Sequence, residues 1–359
     1  MSTIPSRFLR LRNFALRHER WLVYFYLTGG FIFDAIFFRR VDLFFENFAI
    51  IAHLALGALA IIAIHMEKEK KGRLKGTHAF LPLVMQFAIG GLFGKFVIFY
   101  SRSGALVRSW PFLLIMIILF VGNEFVRERY AVLNFRISLF FIALFSYCIF
   151  FVPVLTKEIG AVQFIESGAV SLGIMVLILV ALRYLAKDIT STQWLRLVAV
   201  VVCIYLIFNG LYFTNSIPPI PLALKDAAIY HSIERQSDGG YIARGEDQPW
   251  LSLAPEVVHW DDNETLYLWA SIFAPTGLST RITHRWQFLK DGTWETTSVI
   301  SMDISGGREG GYRGYTSKRR VAPGQWRVDL ETDRGQLLGR IPFTVVEASS
   351  TPPLLTQEL

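Results

Sequence analysis

Apolar and polar positions follow two different rhythms along this chain. Up to about residue 214 the apolar residues come in near-continuous runs: Trp21–Phe38, Phe48–Met66, Phe80–Tyr100, Trp110–Val126, Val132–Val154, Ala169–Leu185 and Trp194–Thr214. Each approaches the ~20 residues that carry a helix across ~30 Å of hydrocarbon, so seven membrane spans are predicted. From about Trp250 the period changes to two. "ETLYLWASIFA" alternates Leu266, Leu268, Ala270 and Ile272 against Tyr267, Trp269, Ser271 and Phe273. "RITHRWQFL" puts Ile282, His284, Trp286 and Phe288 on one face, "GQWRVDL" does the same for Trp326, Val328 and Leu330, and "GRIPFTVVE" turns Ile341, Phe343 and Val345 inward. "KDGTW" sets Asp291-Gly292 at a hairpin turn, and "TDRGQ" is a second turn. Six or seven short strands in about a hundred residues predict an antiparallel sandwich of immunoglobulin-like type, with Trp286 as its core plug. The expected fold class is therefore a multidomain membrane protein: an α-helical bundle of about seven spans, then an all-β immunoglobulin-like sandwich.

Between the two rhythms lies "FTNSIPPIPLALKD". Pro218, Pro219 and Pro221 fix φ and remove backbone donors, so the last helix cannot continue through them. "LALKDAAIYHSI" spaces Leu222, Ile229 and Ile233 as a short helix lying on the membrane would, and reads equally as a plain tether. "ERQSDGGYIARGEDQP" reads as a polar, Gly-containing linker. The expected organisation is a basic N-terminus (1–20), a helical bundle (21–215), a proline-rich elbow and linker (216–249), the β-domain (250–348) and a flexible tail (349–359).

Charge adds a direction to this outline. With the N-terminus inside, the inner segments carry sixteen Lys and Arg, beginning with Arg7, Arg10, Arg12, Arg17 and Arg20; the outer loops carry five, Arg39, Arg40, Arg102, Arg108 and Lys157. That asymmetry orients the bundle and puts the C-terminal region outside, which is the periplasm if the host is Gram-negative. The first run ends in "FFRRVDLFFE" without a small-residue cleavage pattern, so it reads as a span rather than a signal peptide. From Lys225 onward there are fourteen Lys and Arg against eighteen Asp and Glu, a net of −4, although the whole chain is +7. The surplus positive charge is thus a topology signal, and it excludes nucleic acid as the partner. Composition agrees, with 53% hydrophobic residues and a mean hydropathy of +0.40. Cys148 and Cys203 both fall in predicted spans, so the exported region is held by its core without disulfides.

The stretches "THRWQFLKDG", "YRGYTSKRR" and "GQWRVDLETDRGQLLGRIPFTV" resemble an uncharacterised bacterial C-terminal β-domain family of unknown function that often follows polytopic membrane regions. "LFGKFVIFYSRSGALVRSWPFLLIMIILFVGNEFVRERY" and "LYFTNSIPPIPLALKDAAIYH" resemble the membrane part of the same proteins. The resemblance highlights His284, Trp286, Arg313, Ser317, Lys318, Gly324 and Trp326, and implies no particular chemistry. The run Lys318-Arg319-Arg320 is longer than the single basic residue of that pattern.

Two groups of residues are candidates for function. "SGGREGGYRGYTSKRR" offers Arg308, Tyr312, Arg313, Tyr315, Lys318 and Arg319, with His284 nearby in the pattern, as a grip on an anionic or sugar-containing envelope polymer. The bland reading is a solvated hairpin. Within the spans, Asp34, His53, Lys95 and Glu124 are the ionisable candidates, beside Gln86, Asn123 and Asn209, and each needs a partner or water in hydrocarbon. Lys95 reads as snorkelling from the outer end of its helix, Glu124 as lying beside Arg127, and Asp34 as pairing with Arg39 and Arg40. His53 is two turns into its span, where a structural hydrogen bond competes with a proton or ligand role. Gly90-xxx-Gly94 is a small-residue seam for close helix packing. No catalytic constellation, metal-ligand spacing or cofactor motif is apparent, and none is expected.

Two functions follow. In one, a non-enzymatic inner-membrane protein, among membrane lipids, displays the β-domain to an envelope protein, peptidoglycan or polysaccharide. In the other, a transporter or lipid-linked-substrate enzyme works in the bundle, with Asp34 and His53 lining a shared cavity and the β-domain as accessory. The oligomeric state is left open.

Overall fold

The computed structural model describes residues 19–359 apart from 39, 41, 70–79, 104–105, 127–128, 131, 186–188, 220, 238, 248–254, 262–263, 309 and 349–351. Seven helices occupy the described part of the N-terminal half: α1 (Glu19–Phe37), α2 (Phe44–Glu69), α3 (Leu81–Arg102), α4 (Leu106–Gly122), α5 (Leu133–Thr156), α6 (Ala161–Leu185) and α7 (Ser191–Phe213). Among the described residues five of them, α2, α3, α5, α6 and α7, are long and apolar enough to cross a membrane; α1 and α4 contribute the shorter apolar stretches Thr28–Phe37 and Arg108–Gly122. The seven expected runs thus correspond one to one with helices.

The chain separates into two compact units. The first holds Met1–Phe99, Leu113–Tyr147 and Ser171–Tyr205. Its interior is aromatic: Phe93 and Phe96 of α3 are fully buried with Phe140, Phe141 and Phe145 of α5. The glycine seam of α3 is real and tight. A methyl group on Gly90 would stand 2.7 Å from the Asn123 side chain, one on Gly91 2.8 Å from the His53 ring, and one on Gly94 3.1 Å from Phe120.

The second unit holds Tyr100–Phe112, Cys148–Val170 and Leu206–Leu359. Its described residues form eleven strands: β1 (Ala223–Tyr230), β2 (Ser232–Arg235), β3 (Tyr241–Gly245), β4 (Glu256–Trp260), β5 (Thr265–Phe273), β6 (Ser279–Lys290), β7 (Thr293–Ser305), β8 (Tyr312–Arg319), β9 (Gly324–Thr332), β10 (Leu337–Glu347) and β11 (Leu355–Glu358). A five-stranded sheet in the order β4-β10-β9-β6-β7 faces a three-stranded sheet β1-β5-β8, and a small sheet β11-β3-β2 completes the set. All neighbours are antiparallel except β4 and β10, which run parallel. The alternation read from the sequence is the core: Leu266, Leu268, Ala270 and Ile272 meet Ile282, Trp286, Val328, Leu330, Phe343 and Val345. Trp286 is fully buried and edge-on to Phe343 at 6.2 Å. The β6–β7 hairpin turns on Asp291 and Gly292, both at positive φ (49° and 78°), as a two-residue turn matched to strand twist requires.

The linker and tail read differently in three dimensions. Residues 223–230 are neither a surface helix nor a tether but strand β1, paired along its length with β5 from Ala223↔Phe273 to Tyr230↔Tyr267. "SIERQSDGGYIARG" is a hairpin of β2 and β3, and residues 355–358 of the supposed flexible tail pair with β3. The cause lies in the outer face of β5. Tyr267 and Trp269 point away from the main core, and Tyr230, Ile233, Ala243 and Leu359 cover them as a second small core. At the end of α7, Asn215 takes the left-handed conformation (φ 57°), and Ser216 N–H bonds back to Leu211 O at 2.9 Å. The helix is therefore closed by an Asn cap before the prolines are reached.

Candidate functional site

The four ionisable residues singled out within the spans meet at one place in the first unit. They line a cavity of about 950 Å³ bounded by α1, α2, α3 and the end of α4. Seven phenylalanines make most of its wall: Phe31, Phe33, Phe37 and Phe38 around the end of α1, Phe45 of α2, Phe87 of α3 and Phe120 of α4. Phe33, Phe37, Phe45 and Phe87 are more than half exposed at the rim.

The polar groups form a file along α3. At one end Gln86 Nε2 donates to Glu124 Oε2 at 3.0 Å, while the side chains and backbones of Gln86 and Asn123 exchange two further bonds of 3.0 and 3.3 Å. Tyr130 O–H donates to the side-chain oxygen Oδ1 of Asn123. In the middle, the His53 ring lies against Gly91, stacked on Phe87 at 5.4 Å. His53 Nδ1 bonds Ala49 O at 2.7 Å, one helical turn back, so Nε2 is the nitrogen left for a ligand. At the other end Lys95 Nζ donates to Asp34 Oδ2 at 3.1 Å and to Gly91 O at 3.2 Å, and stands 4.7 Å from the Phe38 ring centre. Nine residues of helix separate Gln86 from Lys95, about 14 Å at 1.5 Å per residue.

Two expectations for these residues change. Lys95 does not snorkel; it is 3% exposed and turned into the cavity. Asp34 pairs with Lys95, while Arg40 is held in two bonds by Asp42. Arg39, and the Arg127 expected beside Glu124, lie outside the described residues. Arg136 is a fully buried residue of α5, and its guanidinium has no hydrogen-bond partner among the described residues.

The Arg/Tyr stretch of the β-region is divided rather than assembled. Strand pairing puts Tyr312, Thr316 and Lys318 of β8 on one face and Arg313, Tyr315 and Arg319 on the other. Tyr312 packs on the core. Lys318 Nζ donates to Ser298 Oγ at 2.7 Å and lies over Trp326, where partial burial lowers its pKa. Arg313 Nη1 bonds Leu359 O at 3.0 Å, and Tyr315 sits edge-on between Tyr241 and Tyr267. His284 is fully buried: its Nδ1 is 2.9 Å from the Thr316 hydroxyl, which also accepts from Trp286 Nε1–H at 3.3 Å. It is a core residue with no surface for a ligand, and burial drives its pKa down to about 4. Arg308, Tyr315 and Arg319 keep exposed surface.

A further cluster had no signal in the sequence, because its members are spread over the stretch read as elbow and linker, strand β4 and the turn after it. Glu264, His231, Glu246 and His259 alternate at 3.2, 3.1 and 2.8 Å, and Glu246 also accepts His259 N–H at 2.6 Å. Glu256 lies in the same region; burial, with the nearby Glu246 charge, raises its pKa to about 7. No group of three or more His, Cys, Asp or Glu among the described residues is arranged to hold a metal ion.

Residues 279–345 match the family described as "Protein of unknown function (DUF2914)". No curated protein is similar enough to the chain to match it. Among solved structures, an immunoglobulin-like protein from Pseudomonas aeruginosa aligns at 13% identity over 35% of this chain and 96% of its own, with a TM-score of 0.21. A β-glucosidase from Listeria innocua aligns at 10% identity over 33% of this chain and 16% of its own, with a TM-score of 0.18. An alkylpurine DNA glycosylase from Pseudomonas fluorescens aligns at 10% identity over 86% of this chain and all of its own, with a TM-score of 0.21. The strands from Ser279 to Val345 thus match the DUF2914 family of unknown function, on a chain that has, among its described residues, five helices long and apolar enough to cross a membrane.

Proposed function

We propose that the helical unit is a binding chamber for an amphipathic molecule drawn from the bilayer, as a carrier or a lipid-linked-substrate protein would need, with the β-region as an accessory module. One observation carries this reading: Asp34, His53, Lys95 and Glu124, far apart in sequence, line one phenylalanine-walled cavity of about 950 Å³. That volume is at the upper end of the ~300–1,000 Å³ usual for small-molecule sites. A mostly apolar wall with a few convergent polar groups suits a ligand that has an apolar body and a polar head. The Lys/Arg asymmetry supports a β-region on the outer side of a bacterial inner membrane, facing the periplasm of a Gram-negative host. A periplasm-active reporter joined after Asp247 should then work, and one joined after Lys71 should be silent. Display of the β-region to an envelope protein or glycan rests on Arg308, Tyr315 and Arg319, which are exposed members of that stretch.

Gly30 makes a clean test. It lines the cavity, and a Cβ there meets nothing within 4 Å, so Gly30→Trp adds bulk at the lining from an unobstructed first atom. The chain, purified from native membranes in mild detergent, should carry an amphipathic small molecule near one per chain by mass spectrometry. Gly30→Trp should lose it at unchanged protein level. Retention of the same molecule by Gly30→Trp would overturn the reading.

A further inference from the structure

Among the described residues the charges of the cavity lining are unbalanced, and that narrows the occupant. Lys95 and Asp34 face each other at 3.1 Å and offset one another. His53, with Nδ1 on the Ala49 carbonyl, offers only an acceptor at Nε2 in its neutral form. Glu124 remains. Its partner among the described residues is the Gln86 amide, a neutral donor at 3.0 Å. No described cation of the lining compensates it, and the aromatic walls add to its preference. The faces of phenylalanine rings carry the negative end of a quadrupole, which attracts a cation and gives an anion nothing. One ring already serves in this way, since Lys95 Nζ stands 4.7 Å from the centre of Phe38.

From this we infer that the occupant is a lipophilic cation, with Glu124 as its counter-ion and the phenylalanines as its cage; the inference rests on the chamber reading above. The apolar body of such a molecule partitions into the bilayer by itself. Its charge is what the lipid interior cannot satisfy, and a carboxylate backed by an amide can. An anion of the same shape would meet the Glu124 charge and the ring faces together, both unfavourable.

Tetraphenylphosphonium and tetraphenylborate share an apolar shell and differ in the sign of their charge, which separates the two layers of this reading. Equilibrium binding of each to the full chain in lipid nanodiscs, corrected by empty nanodiscs, should show saturable uptake of the phosphonium near one per chain. Its affinity should exceed that of the borate by roughly tenfold or more, and Glu124→Gln should lower it by about tenfold. Equal affinities, or preference for the borate, would overturn the charge assignment and leave the chamber standing. So would an unchanged phosphonium affinity in a Glu124→Gln chain that unfolds at the wild-type temperature. No saturable binding of either ion would overturn chamber and charge together. The selectivity of the unsubstituted chain decides the matter even where Glu124→Gln fails to fold.

Discussion

Lys95 Nζ and Asp34 Oδ2 lie 3.1 Å apart, joining two helices across 61 positions of sequence with side chains only 4% and 16% exposed. Removing one member of such a pair leaves a charge without compensation in an apolar setting, which costs about 3–5 kcal/mol, whereas removing both leaves no stranded charge. Lys95→Met alone should therefore lower the thermal stability of the detergent-solubilised chain sharply. Lys95→Met with Asp34→Leu should recover most of the loss. Equal destabilisation by the single and double replacements would mean that the pair is incidental.

The contact of His53 with Gly91 gives a second test. A methyl group at Gly91 would stand 2.8 Å from the imidazole, closer than real side chains approach, and the ring also lies against Phe87. Gly91→Ala should destabilise the chain by about 1–3 kcal/mol, the usual cost of overpacking. His53→Ala removes the obstacle, so the double replacement should be more stable than the sum of the two singles predicts. Strict additivity in a double-mutant cycle would show that the two residues do not touch.

Two buried groups of the β-region give its stability a pH dependence of opposite signs. Glu256 has its pKa raised to about 7 from 4.5, chiefly by burial. The folded state therefore holds that proton more tightly than the unfolded chain, and the resulting stability is complete below about pH 4.5 and is lost as pH rises through 7. His284 is lowered to about 4 from 6.5 by burial, so its contribution is complete above pH 6.5 and is lost as pH falls through 4. Hydrogen exchange at β6 and β4 should reveal both limbs. Glu256→Gln should remove the alkaline one and His284→Leu the acid one, each worth at most a few kcal/mol at ~1.4 kcal/mol per pKa unit. Profiles unchanged by the replacements would assign the dependence to other groups.

Residues 355–359 should matter to a sheet far from them in sequence. β11 pairs with β3 from Leu355↔Gly245 to Glu358↔Ile242, and Leu359 bonds Arg313 and packs in the small core with Trp269. Truncation after Ser350 should raise amide exchange across residues 241–245 by roughly tenfold or more, as edge protection and apolar cover are lost together. Undisturbed exchange there would return the segment to the status of a free tail.

The helices and the main sandwich were legible in the sequence because both are written locally. A run of apolar residues long enough for hydrocarbon needs no partner to be recognised, and an alternation such as Leu266–Ile272 states which face is buried. The hairpin of residues 232–245 hid because its strands are short and each sends about one residue, Ile233 or Ala243, into a small core. Such strands show no period, and their apolar cover comes from β5 and the C-terminal segment. Asp34, His53, Lys95 and Glu124 were each visible as polar groups among apolar runs. Their partners were not, since charge along the chain points to the nearest residue of opposite sign, whereas Arg40 goes to Asp42 and Asp34 to Lys95.

By itself, then, the sequence determined seven apolar helices, a β-region after them and the residues whose burial in hydrocarbon demanded an explanation. These follow from hydropathy and periodicity, which are properties of neighbours along the chain. Only the tertiary structure decided that those residues share one cavity, that His284 is core rather than site, and that the Arg/Tyr stretch is split across a strand. Pairing in a medium that excludes water depends on which group is within about 3 Å, and helix packing across the glycines of α3, rather than sequence distance, sets that separation.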